Sequence, residues 1–191
     1  MPSVLLVALA ALFAGRLAGG RLHHVAEAGI RVPWLAGAGL LMQVASVYVT
    51  SADPNMLASF VALTVFAALN LHRSGFAVLG LGVLLNFAVV AVNGGMPISP
   101  EALVQAGDAA QIPELEQGVG GAKWHLAGPE DVLLPLSDVV VIPPPIGEVV
   151  SVGDLLVDAG MAWFLFAATR PGRRREAEPA DEAEPAPAGQ P

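Results

Sequence analysis

Asp154 and Asp158 stand four residues apart, so on a helix they share one face. Two carboxylates at that spacing can share a proton or bind a cation. Asp138 and His125, from the segment before them, are the residues suited to join such a pair. A plainer reading gives Asp154 to its own helix end. Ser151-Val152-Gly153-Asp154 has a capping-box pattern, with acid placed where the helix dipole favours it.

Two other constellations are weaker. His23, His24 and Glu27 fall at helical spacing, with His72 elsewhere in the chain, but the order is not that of a His-Glu-x-x-His metal helix. No metal is expected there. Ser99, Ser137 or Ser151 with His125 would make a hydrolase-like pair, but none of the three sits in a Gly-x-Ser-x-Gly elbow. Ser99 and Ser151 also read as helix caps. No catalytic residue is assigned, no cofactor is expected, and the balance is against an enzyme. The chain has no cysteine, which excludes disulfides and thiol redox chemistry.

The elements that must position these residues are apolar. Hydrophobic residues make up 54% of the chain and charged residues 14%, against about 25% charged in a soluble domain. Apolar runs cover Val4–Gly15, Trp34–Val49, Met56–Leu71, Phe76–Val92 and Leu155–Ala168. Arg16, Arg21, Arg31, Arg73, Arg170, Arg173, Arg174 and Arg175 all fall on one side if those runs are spans, and only Lys123 falls on the other. Basic residues near span ends stay on the cytoplasmic side. The expected fold is therefore an all-α membrane protein, a bundle of five transmembrane helices. Its N-terminus is outside and its C-terminus inside, and a long ordered external loop joins helices four and five. The expected location is the cell (cytoplasmic) membrane, multi-pass. No positive charge precedes the first run, so it reads as a retained helix rather than a signal peptide.

Gly15 and Gly19, Gly37 and Gly39, and Gly80 and Gly82 would let helices approach closely. Gln43, Ser46, Asn70 and Asn86 would bond between helices, because polar groups facing lipid are costly. Gly75 marks a tight turn between the third and fourth runs, and Asp53 or Asn55 is suited to cap the third. The loop 93–153 carries eight acids against Lys123 alone, which argues against nucleic acid as a partner. It opens with Asn93-Gly94-Gly95-Met96-Pro97, where glycine permits positive φ and ends a helix. Ser99-Pro100-Glu101 reads as the start of a short helix ending at Gly107, and Pro113–Gln117 as another turn. The apolar stretch 131–150, stiffened by Pro143, Pro144 and Pro145, is expected to lie on the membrane surface or fold back over the bundle.

Asn93-Gly94-Gly95-Met96-Pro97, Leu136-Ser137-Asp138 and Ser151-Val152-Gly153-Asp154 resemble the signature of a bacterial domain-of-unknown-function family. Its members are small multi-pass membrane proteins, mostly of actinobacteria and Firmicutes, with the pattern Asn-Gly-Gly-x-Pro and Ser-x-Gly-Asp. The resemblance covers roughly residues 1 to 170, includes the Arg-bearing opening around Arg16 and Arg21, and implies location without a reaction. Ser137 departs from it, since glycine commonly stands there. Two regions follow: a transmembrane domain over 1–170 that includes the loop, and a disordered cytoplasmic tail over 171–191. Arg170, Arg173, Arg174 and Arg175 would meet anionic lipid headgroups. The expected function is a non-catalytic membrane component that binds another protein through the loop. The alternative is a small-solute or ion-handling protein with an acidic outer-face pocket. The candidate binding or structural residues are Asn93, Gly94, Gly95, Pro97, His125, Asp138, Ser151, Gly153, Asp154 and Asp158.

Overall fold

The computed structural model describes residues 2–48 and 54–170. Each apolar run becomes a helix: α1 (Pro2–Leu17), α3 (Pro33–Ser46), α4 (Pro54–Leu69), α5 (Phe76–Asn93) and α8 (Val152–Ala168). A single turn, α2 (His23–Ala26), follows α1. Gly75 at φ 84° opens α5 and Gly94 at φ 73° closes it, both in the left-handed region where a side chain would be strained. Neighbouring helices pack in the order α1, α8, α5, α4, α3.

Small residues set the closest of these approaches. A β-carbon at Gly82 would lie 2.4 Å from the Gly153 carbonyl, and one at Gly160 would lie 2.4 Å from the Leu79 amide. So α5 and α8 touch backbone to backbone, antiparallel, at both of these levels. Gly15, Gly39 and Gly80 also sit against neighbouring elements, whereas Gly19 and Gly37 face open space. Met56, Phe60, Val83, Val89, Val90 and Met96 form the larger buried cluster, and Ala67, Phe76 and Phe164 form a second one.

Between α5 and α8 the chain builds a small mixed cap. Strand β1 (Met96–Ile98) runs parallel to β2 (Trp124–Leu126), and β3 (Val140–Ile142) runs antiparallel to β4 (Glu148–Val150). Two short helices, α6 (Pro100–Ala106) and α7 (Gln111–Glu116), complete it. Ser99 caps α6 by accepting from the Ala102 amide at 3.1 Å, and Gly107 ends that helix at φ 83°. A 3₁₀ turn at Leu134–Leu136 rests on α5 and α8, so the apolar stretch does fold back over the helices.

The five-span bundle is not borne out. Among the described residues only α5 is long and apolar enough to cross a membrane, with 18 residues and a mean hydropathy of 2.2. Helices α1 and α4 are apolar but shorter, at 16 residues each, and α3 has 14. At 1.5 Å per residue these three reach about 21–24 Å, against about 30 Å of hydrocarbon. Helix α8 has 17 residues and carries Asp154 and Asp158 in its first half. The apolar runs overstate span length because turns and caps take residues from their ends. The N-outside, C-inside orientation depends on five alternating crossings and falls with them. The all-α class also gives way to the two small sheets of the cap. Asp53 and the tail from 171, with Arg173, Arg174 and Arg175, lie outside the described residues. Asn55 is the second residue of α4 rather than its cap.

Candidate functional site

The site lies where the cap meets the α5 C-terminus and the α8 N-terminus. Asp138 is held there by its backbone. Its amide donates to the Pro97 carbonyl at 3.1 Å, and its carbonyl accepts from the Ser99 amide at 3.0 Å. That places residue 138 along the free side of β1, opposite β2. Trp124 of β2 hydrogen-bonds the Asp138 carboxyl. The residue is 4% exposed, and among the described residues its Oδ1 has no hydrogen-bond partner.

Ser151, Asp154 and Asn86 close a triangle beside it. Ser151 Oγ accepts from the Asp154 amide at 2.9 Å, and Asp154 Oδ2 accepts from the Ser151 amide at 3.1 Å. This is the capping box legible in the sequence. Asn86 then enters from α5. Its Nδ2 donates to Asp154 Oδ1 at 2.7 Å, while its Oδ1 accepts from Ser151 Oγ at 2.8 Å. Gly153 makes room for it, since a β-carbon there would lie 2.0 Å from Asn86 Oδ1.

Lys123 supplies the positive charge. Its Nζ lies 4.3 Å from the centre of the Trp124 ring, and it feels both Asp154 and Asp138. Burial raises the Asp138 pKa well above the usual aspartate range, and the Asp154 charge adds to this. Lys123 and the Trp124 bond oppose the rise and are outweighed. Burial likewise pulls the Lys123 pKa down, against the attraction of the two acids. A carboxyl so placed retains a proton at pH values where an exposed aspartate has lost it. Asp158, one turn along α8, is 8% exposed, with an Oδ1 that has no partner among the described residues. It lies within electrostatic reach of Asp154 and Glu148.

The other sequence candidates divide. Asn93 clamps the cap to α5: its Oδ1 accepts from the Val132 amide at 2.9 Å and its Nδ2 donates to the Val132 carbonyl at 2.9 Å. Gly94 ends α5, Gly95 leaves room for the His125 ring, and Pro97 is buried in the middle of β1. His125 does not join the carboxylate group. Its Nε2 meets Asp131 Oδ1 at 2.9 Å, and Asp131 Oδ2 accepts from the Gly128 amide at 2.8 Å. Burial would raise the Asp131 pKa, but these two partners hold it below the usual range. The three serines are engaged elsewhere: Ser99 Oγ donates to Glu101, Ser137 Oγ to the Leu134 carbonyl, and Ser151 Oγ to Asn86.

A model of a family of unknown function, DUF5317, matches residues 27–166. The chain belongs to that family. The DUF5317 match takes in the whole cap, α3 to α5, and every residue of the carboxylate site, while α1 and α2 precede it. No curated protein and no solved structure matches the chain.

Sequence reasoning missed Lys123, Trp124 and Asn86 as members of this site. Asn86 did stand out as a polar residue in an apolar run. Its partner lies 68 residues away, and no local spacing points to it.

Proposed function

We propose that this chain is a non-catalytic component of a bacterial cytoplasmic membrane that binds another protein through its cap. The observation that carries this reading is the division of the cap's side chains. Ser137 and Asp138 are buried and Asn93 ties the segment down at the Val132 backbone, while Val104, Val119 and Val132 stand outward at 58%, 56% and 51% exposure among exposed acids such as Glu101, Glu114 and Glu116. Outward apolar groups on a segment tied down by internal hydrogen bonds suit contact with a partner. Membrane association is supported by α5 and by the helix exteriors, where Phe13, Trp34, Leu41 and Trp163 are all more than half exposed. Purification of the tagged protein in mild detergent, with mass spectrometry of what stays bound, tests it. A stoichiometric partner released by Val132→Asp, in a variant that keeps its melting temperature, is the expected result. A lone monodisperse protein overturns the reading.

A second reading is favoured by the Oδ1 atoms of Asp138 and Asp158, which have no hydrogen-bond partner among the described residues. In it the carboxylate group binds a proton or a small cation. Asp158→Asn discriminates the two, since it leaves partner binding intact but removes a proton or cation response of the protein reconstituted in vesicles.

A further inference from the structure

The far end of the α5–α8 pair carries the opposite charge character. A cavity of about 310 Å³ opens there, lined by His24, Glu27, His72, Arg73, Ser74 and Arg170, with Phe164 at its side. That volume falls at the small end of ligand sites, roughly 300–1,000 Å³. We propose that this cavity binds a phosphoryl group, either as the headgroup of an anionic phospholipid or as free phosphate.

The donors are positioned by the fold. Arg73 follows the buried Asn70, which bonds the Arg31 amide at 2.8 Å and the Arg31 carbonyl at 3.0 Å and so ties the 27–31 segment to the end of α4. Arg73 Nη2 donates to the Gly29 carbonyl at 3.1 Å, which fixes the guanidinium. Among the described residues its Nε is buried without a hydrogen-bond partner. The Arg73 guanidinium lines the cavity, and a planar guanidinium suits an anion because its fork can offer two parallel N–H groups to two phosphoryl oxygens. Arg170 lies over the Phe166 ring at 4.4 Å, which steadies a second guanidinium at the rim. His24 is oriented by its Nδ1–H, which donates to the Thr169 carbonyl at 3.0 Å, so in the neutral ring its Nε2 is an acceptor and the ring shapes the cavity wall rather than adding a donor. Ser74 adds a hydroxyl.

A cation is the competing occupant. His23, His24 and Glu27 bring ligand atoms within 4.8 Å of one another. Three protein ligands with an open position would suit zinc. The two guanidinium groups lining the same cavity argue against it, since they oppose a cation and attract an anion. Glu27 is the one group whose two roles have opposite sign. It is a ligand for a metal and a repulsive neighbour for a phosphate.

The test uses the full chain, purified in a neutral, phosphate-free detergent. Inorganic phosphate and zinc are each titrated by calorimetry against a chloride control of equal ionic strength. Retention of phosphatidylglycerol, offered in mixed micelles with phosphatidylcholine, is followed by native mass spectrometry. Binding of phosphate, weakened about tenfold by Arg170→Gln and tightened by Glu27→Gln, supports the proposal with free phosphate as ligand. Stoichiometric retention of phosphatidylglycerol, lost in Arg170→Gln and kept in Glu27→Gln, supports it with a lipid headgroup as ligand. Arg170 is exposed, and its side chain rests on the Phe166 ring of α8, so its variant tests the site more than the fold. Zinc binding that Glu27→Gln abolishes, with no response to either phosphate source, overturns the proposal, and so does binding of neither ion nor lipid.

Discussion

Asn86 on α5 donates to Asp154 on α8 at 2.7 Å, and the same amide accepts from Ser151, the residue that caps α8. One side chain therefore joins the helix that ends at the cap to the helix that begins there. The contact needs Gly82 and Gly153, whose missing side chains bring the two backbones together.

Asn86→Ala should destabilise the protein by about 1–3 kcal/mol, because it strands the Ser151 hydroxyl and one oxygen of Asp154 without their partner. Asn86→Asp should cost more, since it sets a second carboxylate against Asp154. Thermal unfolding in detergent measures both. A wild-type melting temperature for Asn86→Ala would remove the triangle from any account of how the cap is held.

The parts of this site that the sequence discloses are the local ones. Ser151 and Asp154 lie three residues apart, so a capping box can be read from their identities alone. Ser99 and Gly107 bracket α6 in the same way. Asn93, Gly94 and Gly95 announce the end of α5 because glycine is the residue that turns left-handed without strain. Lys123, Trp124 and Asn86 carry no such mark. Their roles arise from the pairing of β1 with β2 and of α5 with α8, which joins residues far apart in the chain. The span count fails for a different reason. An apolar run measures composition, while a crossing also needs helical length, and Pro33–Ser46 and Pro54–Leu69 stop short of it.

The packing of α5 on α8 predicts a contrast between glycines. Gly82→Ala forces a β-carbon to within 2.4 Å of the Gly153 carbonyl and should cost about 1–3 kcal/mol through displaced backbone. Gly37→Ala, at a helix position with nothing within 4 Å, should be neutral or stabilising by up to about 1 kcal/mol. Equal melting temperatures for the two variants would contradict the close approach.

Asp138 gives the stability a pH dependence with a definite sign. Burial first, and then Asp154, raises its pKa in the folded protein. The folded state thus binds that proton more tightly than the unfolded chain. The resulting stabilisation is fully present below the unfolded value of about 3.9, and it is lost as pH rises through the folded value. Lys123 acts at the other end of the scale. Its lowered pKa is a penalty present at neutral pH, relieved only as pH climbs toward the ordinary lysine range. Asp138→Asn keeps the shape and removes the titration. It should flatten the fall in melting temperature between acid and neutral pH, and unchanged slopes in variant and wild type would show that Asp138 is not the group responsible.

The absence of cysteine from the chain makes a direct test of α5 simple, because any single introduced thiol is the only one present. Ser74 lies just before α5 and Gln105 lies in the cap beyond it, and both are exposed. If α5 crosses the bilayer, Ser74→Cys and Gln105→Cys should react with a membrane-impermeant maleimide from opposite sides. One variant should label in intact cells and the other only after permeabilisation. The pairing matters more than either result alone, since a helix lying flat in the interface would leave both thiols on one side. Labelling of both from the same side would take α5 out of the membrane. The basic cavity and the carboxylate site would then face a common compartment.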